Sequence, residues 1–267
     1  MHQRIRFWTG AALSALFAAA ALFGPALAAH DPHETHLERA FERPSAGHWF
    51  GLDELGRDLF SRALVGARQA FFVSVVGVGF GAAAGTLLGL WSGYCGGIFD
   101  RVTARAIDAL LAFPGFLLAL VVASAASPGT TSLVIAVGFF SFPAFARVAR
   151  ATARSLREEA YVAASIVLGA ARGYILRRHV LANAWPPLAA LSAVRMGQAI
   201  ATASGLSFLG LGPPLPFPDW GTMIDTGREY LWVEPRLVLV PGVCVALSSL
   251  GFYLLGDALS AGKSADV

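Results

Sequence analysis

Four long stretches of the chain carry no Asp, Glu, Lys or Arg: 7–29, 69–99, 109–146 and 237–256. A helix needs about 20 apolar residues to cross a bilayer core. The first and last stretches match one crossing each, and the second leaves room for a span and a loop. The third has 38 residues, too many for one span, and SPGTTS at 127–132 divides it with a Pro-Gly turn. A fifth stretch, 184–210, is apolar except for Arg195. The pattern therefore predicts an all-α polytopic membrane protein with six transmembrane helices, at about 7–29, 69–92, 106–126, 131–150, 184–210 and 236–256. Small residues, as in GVGFGAAAGTLLGL at 77–90, predict close helix packing. Pro114 and Pro143 are expected to break their spans.

The polar segments orient these helices. With the N-terminus inside, twelve of the twenty basic residues fall on the inner side and seven on the outer, with Arg195 left within a span. The outer loops hold most of the acids, among them Asp31, Glu34, Glu38, Glu42, Asp53, Glu54 and Asp58. The positive-inside rule then puts both termini, and the segment 154–183, in the cytoplasm. A competing reading takes the start as a signal peptide, with a basic beginning and a small-residue end at Ala26-Leu27-Ala28. Its apolar stretch is longer than such peptides carry, which favours a retained first span.

Composition agrees. The chain is 56% hydrophobic and only 14% charged, against about 25% charged in soluble domains. A net charge of +3 and a single lysine, Lys263, give no basis for nucleic-acid binding. Cys95 and Cys244 share no short spacing, so neither a metal site nor a disulfide framework is indicated.

Candidate chemistry is sparse. Gly256 to Ser264 imitates a phosphate-binding loop but places five residues between its glycines where four are needed. Gly205-Leu-Ser207-Phe-Leu209 fails the nucleophile-elbow pattern at its last position. His30, His33, Glu34 and His36 in HDPHETH offer imidazoles suited to nickel or zinc. They lack HExxH order and Pro32 opposes a helix, so a solvated loop is the first reading and a weak metal-delivery site the second. Arg195 is costly within a bilayer, about 2.5–3.5 kcal/mol on insertion scales. It is expected to line a translocation path or meet a partner subunit, with snorkelling to the interface as the alternative. Trp220 reads most simply as an interface anchor.

The segment RSLREEAYVAASIVLGAARGYILRRHVLAN, 154–183, is polar and helix-forming yet has no reactive constellation. Acids at its start and Arg177 and Arg178 near its end suit a helix dipole. Gly169 suits the end of one short helix and the start of another. Tyr161, Ala164 and Leu168 fall on one side of the first helix. A helix resting on the lipid interface would satisfy the same pattern.

This segment resembles the cytoplasmic coupling loop of ABC importer permeases, whose pattern runs Glu-Ala-Ala, three residues, Gly, nine residues, Ile-x-Leu-Pro. GLDELGRDLFSRALVGAR (51–68), DALLAFPGFLLAL (108–120), LSFLGLG (206–212), PFPDWGTMIDTGREYL (216–231) and LLGDALS (254–260) resemble the dipeptide/oligopeptide/nickel permeases of that class, second-permease type. The likeness implies an N-terminal helix with an extracytoplasmic loop (1–68), a five-helix permease core (69–260) and a cytoplasmic tail (261–267). It implies a bacterial inner-membrane subunit of a binding-protein-dependent importer, for di- or oligopeptides or else for nickel or another small solute. Its partners would be a homologous permease in a heterodimer, two cytoplasmic ABC ATPases, an extracytoplasmic solute-binding protein and the lipid bilayer. No catalytic residue, cofactor or metal is implied, since ATP is hydrolysed on the partners. The residues implied in ATPase coupling are Glu159, Tyr161, Ala163, Ala164, Ser165, Gly169 and Leu181. Aligned on Gly169, the triplet reads Ala163-Ala164-Ser165 without its glutamate, and Ala182 stands in place of the proline. An ion-coupled carrier is the alternative class, but such carriers place acids mid-membrane, whereas Asp100, Asp108 and Asp257 lie toward span ends.

Overall fold

A computed structural model describes residues 2–261; the tail after Ala261, with Lys263 and Ser264 of the phosphate-loop imitation, lies outside them. Helix α1 is His2–Leu27, followed by a long loop to Asp58. The Asp58 carboxylate accepts the Ser61 amide and so caps α2, Leu59–Cys95, whose 37 residues extend about 55 Å. Helix α3 (Gly97–Ala112) and α4 (Gly115–Ser124) meet at a 92° bend. Helix α5 is Thr130–Arg157, and α6, Ala160–Val167, is short. From α7 (Arg172–Ile175) the chain stays helical through a π turn, Leu176–Val180, into α8, Leu181–Leu206, and a second π turn, Ser207–Leu211. Helix α9 is Trp220–Gly227 and α10 is Arg236–Ala261.

The architecture is all-α, and the described residues hold a single isolated bridge, Leu52 to Asp58, and no strand. Four helices are long and apolar enough to cross a bilayer: α1, α2, α5 and α10; the bent α3–α4 pair makes a fifth if it counts as one span. Helix α8 has the length, at 26 residues. Its Asn183, Trp185, paired prolines and Arg195 keep it out of that group on hydropathy.

Two sequence expectations need correction, and a third holds. The second span begins ten residues before position 69, at Leu59, because Asp58 supplies a cap there. The break expected at Pro114 is present and divides the span over 106–126 into two helices: Phe113 lies in the extended region (φ −79°, ψ 140°), the conformation proline imposes on the residue before it. Pro143, in contrast, breaks nothing. It is buried inside an uninterrupted α5, since neighbouring helices in a bundle can compensate its missing N–H.

A row of glycines holds the bundle together. Gly77, Gly81, Gly85, Gly89 and Gly93 recur every fourth residue along one face of α2, and α5 lies directly on it. A Cβ on Gly81 would stand 2.6 Å from the Gly138 carbonyl oxygen, and one on Gly85 would stand 2.5 Å from that of Phe142. Such approach is open only to residues without side chains. Helix α1 is seated in the same way: Gly10 faces the backbone of Leu255 on α10, and Gly24 faces Leu64 on α2. Apolar residues line one cluster around Val73, Val137, Phe145, Leu188 and Leu206, and a second around Phe17, Ile200, Trp220 and Leu237. Outward positions on α10 such as Leu239, Val243, Leu247 and Tyr253 remain exposed, as expected where lipid is the solvent.

Candidate functional site

At one end of the bundle, where α2 and α5 finish and α1 begins, the chain makes a helical hairpin from α6 and α7. The Glu159 carbonyl accepts the amides of Val162 and Ala163, which starts α6. Gly169 ends it with φ +80°, the left-handed conformation expected of it, and the Ala170 amide reaches back to the Ser165 carbonyl at 3.0 Å. That bond is the long link of a Schellman motif. The hairpin is pinned by apolar side chains: Val162 is 0% exposed, and Ile175 and Val180 are buried in the cluster that contains Tyr94, Ala149 and Ala153.

The opposite face of α6 points away from the bundle. Tyr161, Ala163 and Ala164 are exposed, Ser165 is half-buried, and Val167 and Leu168 are each 87% exposed. Tyr161, Ala164 and Leu168 thus share the outward side. Leu181 lies apart from these at the start of α8, packed against the core. It is linked to them through the next turn: the Asn183 amide donates to the His179 carbonyl at 2.6 Å and stands 3.5 Å from the Tyr161 hydroxyl. The Tyr161 and Tyr174 rings flank His179 at 5.7 and 5.8 Å.

Beside the hairpin, Asp100 on α3 meets Arg150 on α5 in a two-point ion pair of 2.6 and 2.7 Å, and the Ser92 hydroxyl of α2 donates to the same carboxylate at 2.9 Å. Sequence reading missed this joint; an acid in the first turn of α3 opposite a basic helix end was its only signal. Arg195 lies elsewhere, on α8. Its guanidinium sits over the Phe140 ring at 5.1 Å, and its Nε is buried with no hydrogen-bond partner among the described residues.

The other end carries the loop 28–58 with α9. GLDELGRD is a closed clasp. Asp53 accepts the amides of Leu55 and Arg57 at 2.9 Å each and the Arg57 Nε at 2.7 Å, and it forms an ion pair with the Arg62 Nε at 3.3 Å. Gly56, at φ +72°, lies against the His36 backbone. Burial, with the neighbouring Asp53 charge second, holds the Glu54 carboxyl above its ordinary range, although Arg57 donates to it. Trp220 is not an interface anchor. It is 3% exposed, packs against Phe17, and donates its indole N–H to the Ala63 carbonyl at 2.9 Å. Gly66 leaves room for the ring. The Asp219 carboxylate caps α9 through the amides of Gly221 and Thr222, and its burial raises its pKa. The HDPHETH residues do not converge: His36 faces Glu34 and Glu38, and the His33 amide donates to Asp31, while His30 stacks on His48.

Comparison with known proteins adds the family and the fold. Residues 85–264 match the family model described as binding-protein-dependent transport system inner membrane component. The probable D,D-dipeptide transport system permease protein DdpC of Escherichia coli (strain K12) is 37% identical over 251 residues, covering 94% of this chain and 84% of that protein. The glutathione transport system permease protein GsiD of Pectobacterium atrosepticum is 40% identical over 222 residues, covering 83% and 74%. Among solved structures, an inward-facing form of the MetNI methionine ABC transporter matches with TM-score 0.54 at 18% identity, covering 76% of this chain and 94% of that one. That likeness shows a shared fold.

Proposed function

The chain belongs to the family of binding-protein-dependent transport system inner membrane components, and from that membership we propose that it is the permease subunit through which an importer moves small peptides and receives the stroke of its ATPases. It is a transport subunit of the inner membrane, not an enzyme, and its family works with ATPase subunits and a binding protein. Peptides are the favoured cargo because relatives at 37% and 40% identity are named for a D,D-dipeptide and for glutathione. The proposal includes six spans with both termini cytoplasmic, the bent α3–α4 pair and α8 counting as one crossing each. It also includes a heterodimer with a homologous permease, with Arg195 on the translocation path.

The observation that carries the coupling role is the tip of α6. Val167 and Leu168 present apolar surface outward beside the Gly169 turn, while Val162, Ile175 and Val180 fix the hairpin from behind. Apolar groups held rigidly outward fit a cleft on another protein better than they fit water. Glu159, Tyr161, Ala163, Ala164 and Ser165 flank that tip, and Leu181 continues it into α8. Force applied to α6 passes along two covalent routes, back into α5 and forward through α7 into α8. Helix α5 lies on the glycine row of α2, so the push reaches the core of the bundle. Closure of the ATPase pair on ATP would then open the path outward, and hydrolysis would reset it.

Uptake of a labelled dipeptide into proteoliposomes holding the complete transporter tests the proposal. ATP-dependent accumulation that requires the binding protein is expected. Uptake driven by an ion gradient without ATPase subunits would overturn it.

A further inference from the structure

Three side chains that sequence spacing keeps apart converge at the loop end of α2. His30 follows α1, His48 lies in the loop, and Asp58 caps α2. Their ligand atoms all lie within 4.8 Å of one another. The His48 Nδ1 is 2.9 Å from the Asp58 Oδ1, and the His30 Nδ1 is 3.9 Å from the same oxygen. The two imidazoles stack with centroids 4.4 Å apart.

We propose that His30, His48 and Asp58 form a binding site for one divalent transition-metal ion of the zinc type. Donor chemistry comes first: two imidazoles and a carboxylate suit zinc, cobalt and nickel, and disfavour magnesium and calcium. Distances come second. With bonds of about 2.0–2.2 Å, the donors of a tetrahedral ion stand about 3.3–3.6 Å apart. The two distances to Asp58 Oδ1 bracket that edge, so an ion needs only small side-chain shifts. Division of labour at Asp58 comes third. Its Oδ2 already accepts the Ser61 amide at 2.8 Å, which leaves Oδ1 turned to the histidines.

Supporting contacts hold the set in place, as metal sites require. The His48 amide donates to the Ser45 hydroxyl at 3.2 Å, and the His30 amide lies 3.4 Å from the Ser61 hydroxyl. His48 and Asp58 are buried while His30 is half-exposed, so an ion can enter past His30. Bound there, the ion would join the end of α1, the loop and the start of α2.

The test uses the full-length chain, purified without a histidine tag and stripped of metal. Titration with Co²⁺ should give visible ligand-field bands saturating at one ion per chain, and Zn²⁺ should displace them. Both His30→Ala and His48→Ala should weaken binding about tenfold or more, whereas His33→Ala and His36→Ala should not change it. Should His48→Ala fail to fold, the half-exposed His30→Ala decides alone. Added Zn²⁺ should raise the Tm of the unaltered chain, as ligands of the folded state do, and should not raise that of His30→Ala. Absence of saturable Co²⁺ binding, or binding lost with His33 or His36 in place of His30, would overturn the site.

Discussion

The guanidinium of Arg150 on α5 grips the carboxylate of Asp100 on α3 through two parallel hydrogen bonds of 2.6 and 2.7 Å. The Ser92 hydroxyl of α2 adds a third at 2.9 Å, so one carboxylate joins three helices where α2 and α5 end. Hydrogen bonds to charged groups contribute about 1.5–3 kcal/mol each when partly buried. Asp100→Ala should therefore lower the thermal stability of the purified chain measurably, and Asp100→Asn should lower it less because the amide still accepts one bond. Thermal unfolding in detergent reads this directly. Equal stability for Asp100→Ala and the unaltered chain would mean that the joint is solvent-screened and does not set the position of α3.

The glycine row on α2 predicts a contrast between near neighbours. A Cβ on Gly79 meets nothing within 4 Å, whereas one on Gly85 collides with the Phe142 carbonyl of α5. Gly79→Leu should be tolerated at this exposed position. Gly85→Leu should separate α2 from α5 and cost about 1–3 kcal/mol or more, as overpacking does. Yield of folded monodisperse protein, compared across the pair, checks this. Equal yields would contradict the close packing described.

Much of this architecture was legible in the sequence, and the misses share a cause. Charge-free stretches located the long helices because burial in lipid requires apolar side chains on every face. Helix ends were less visible. The cap by Asp58 extends α2, whereas the break at Pro114 was legible because proline acts on its own neighbour. Trp220 was misread because an aromatic beside prolines looks alike whether it faces lipid or fills the space left by Gly66. The turn between α6 and α7 was legible through Gly169, whose positive φ is a local property. That Val162 points inward while Val167 and Leu168 point outward depends on how α6 meets α5, which no spacing encodes.

Orientation gives a third prediction. Reporters fused before His2 and after the C-terminal helix should report a cytoplasmic location, and one inserted near Ser45 should report an exported one. An exported C-terminal reporter would contradict an even number of crossings and remove the hairpin from the ATPase side.

The Gly169 turn gives a fourth. At φ +80° a β-branched residue is strained whatever space surrounds it. Gly169→Val should leave the helices inserted but misplace α6, lowering transport and ATPase co-purification together. Ala163→Glu, at an exposed position, should be tolerated. A fall in transport with co-purification unchanged would contradict the docking role of this turn.

The most direct test of the central claim, that α6 meets the ATPase, is site-specific photocrosslinking in membranes holding the whole transporter. A photoreactive residue at Leu168 should capture the system's ATPase subunit, and one at Trp232, exposed at the far end, should not. Crosslinks from Leu168 to lipid alone, or ATPase captured at Trp232, would contradict the account.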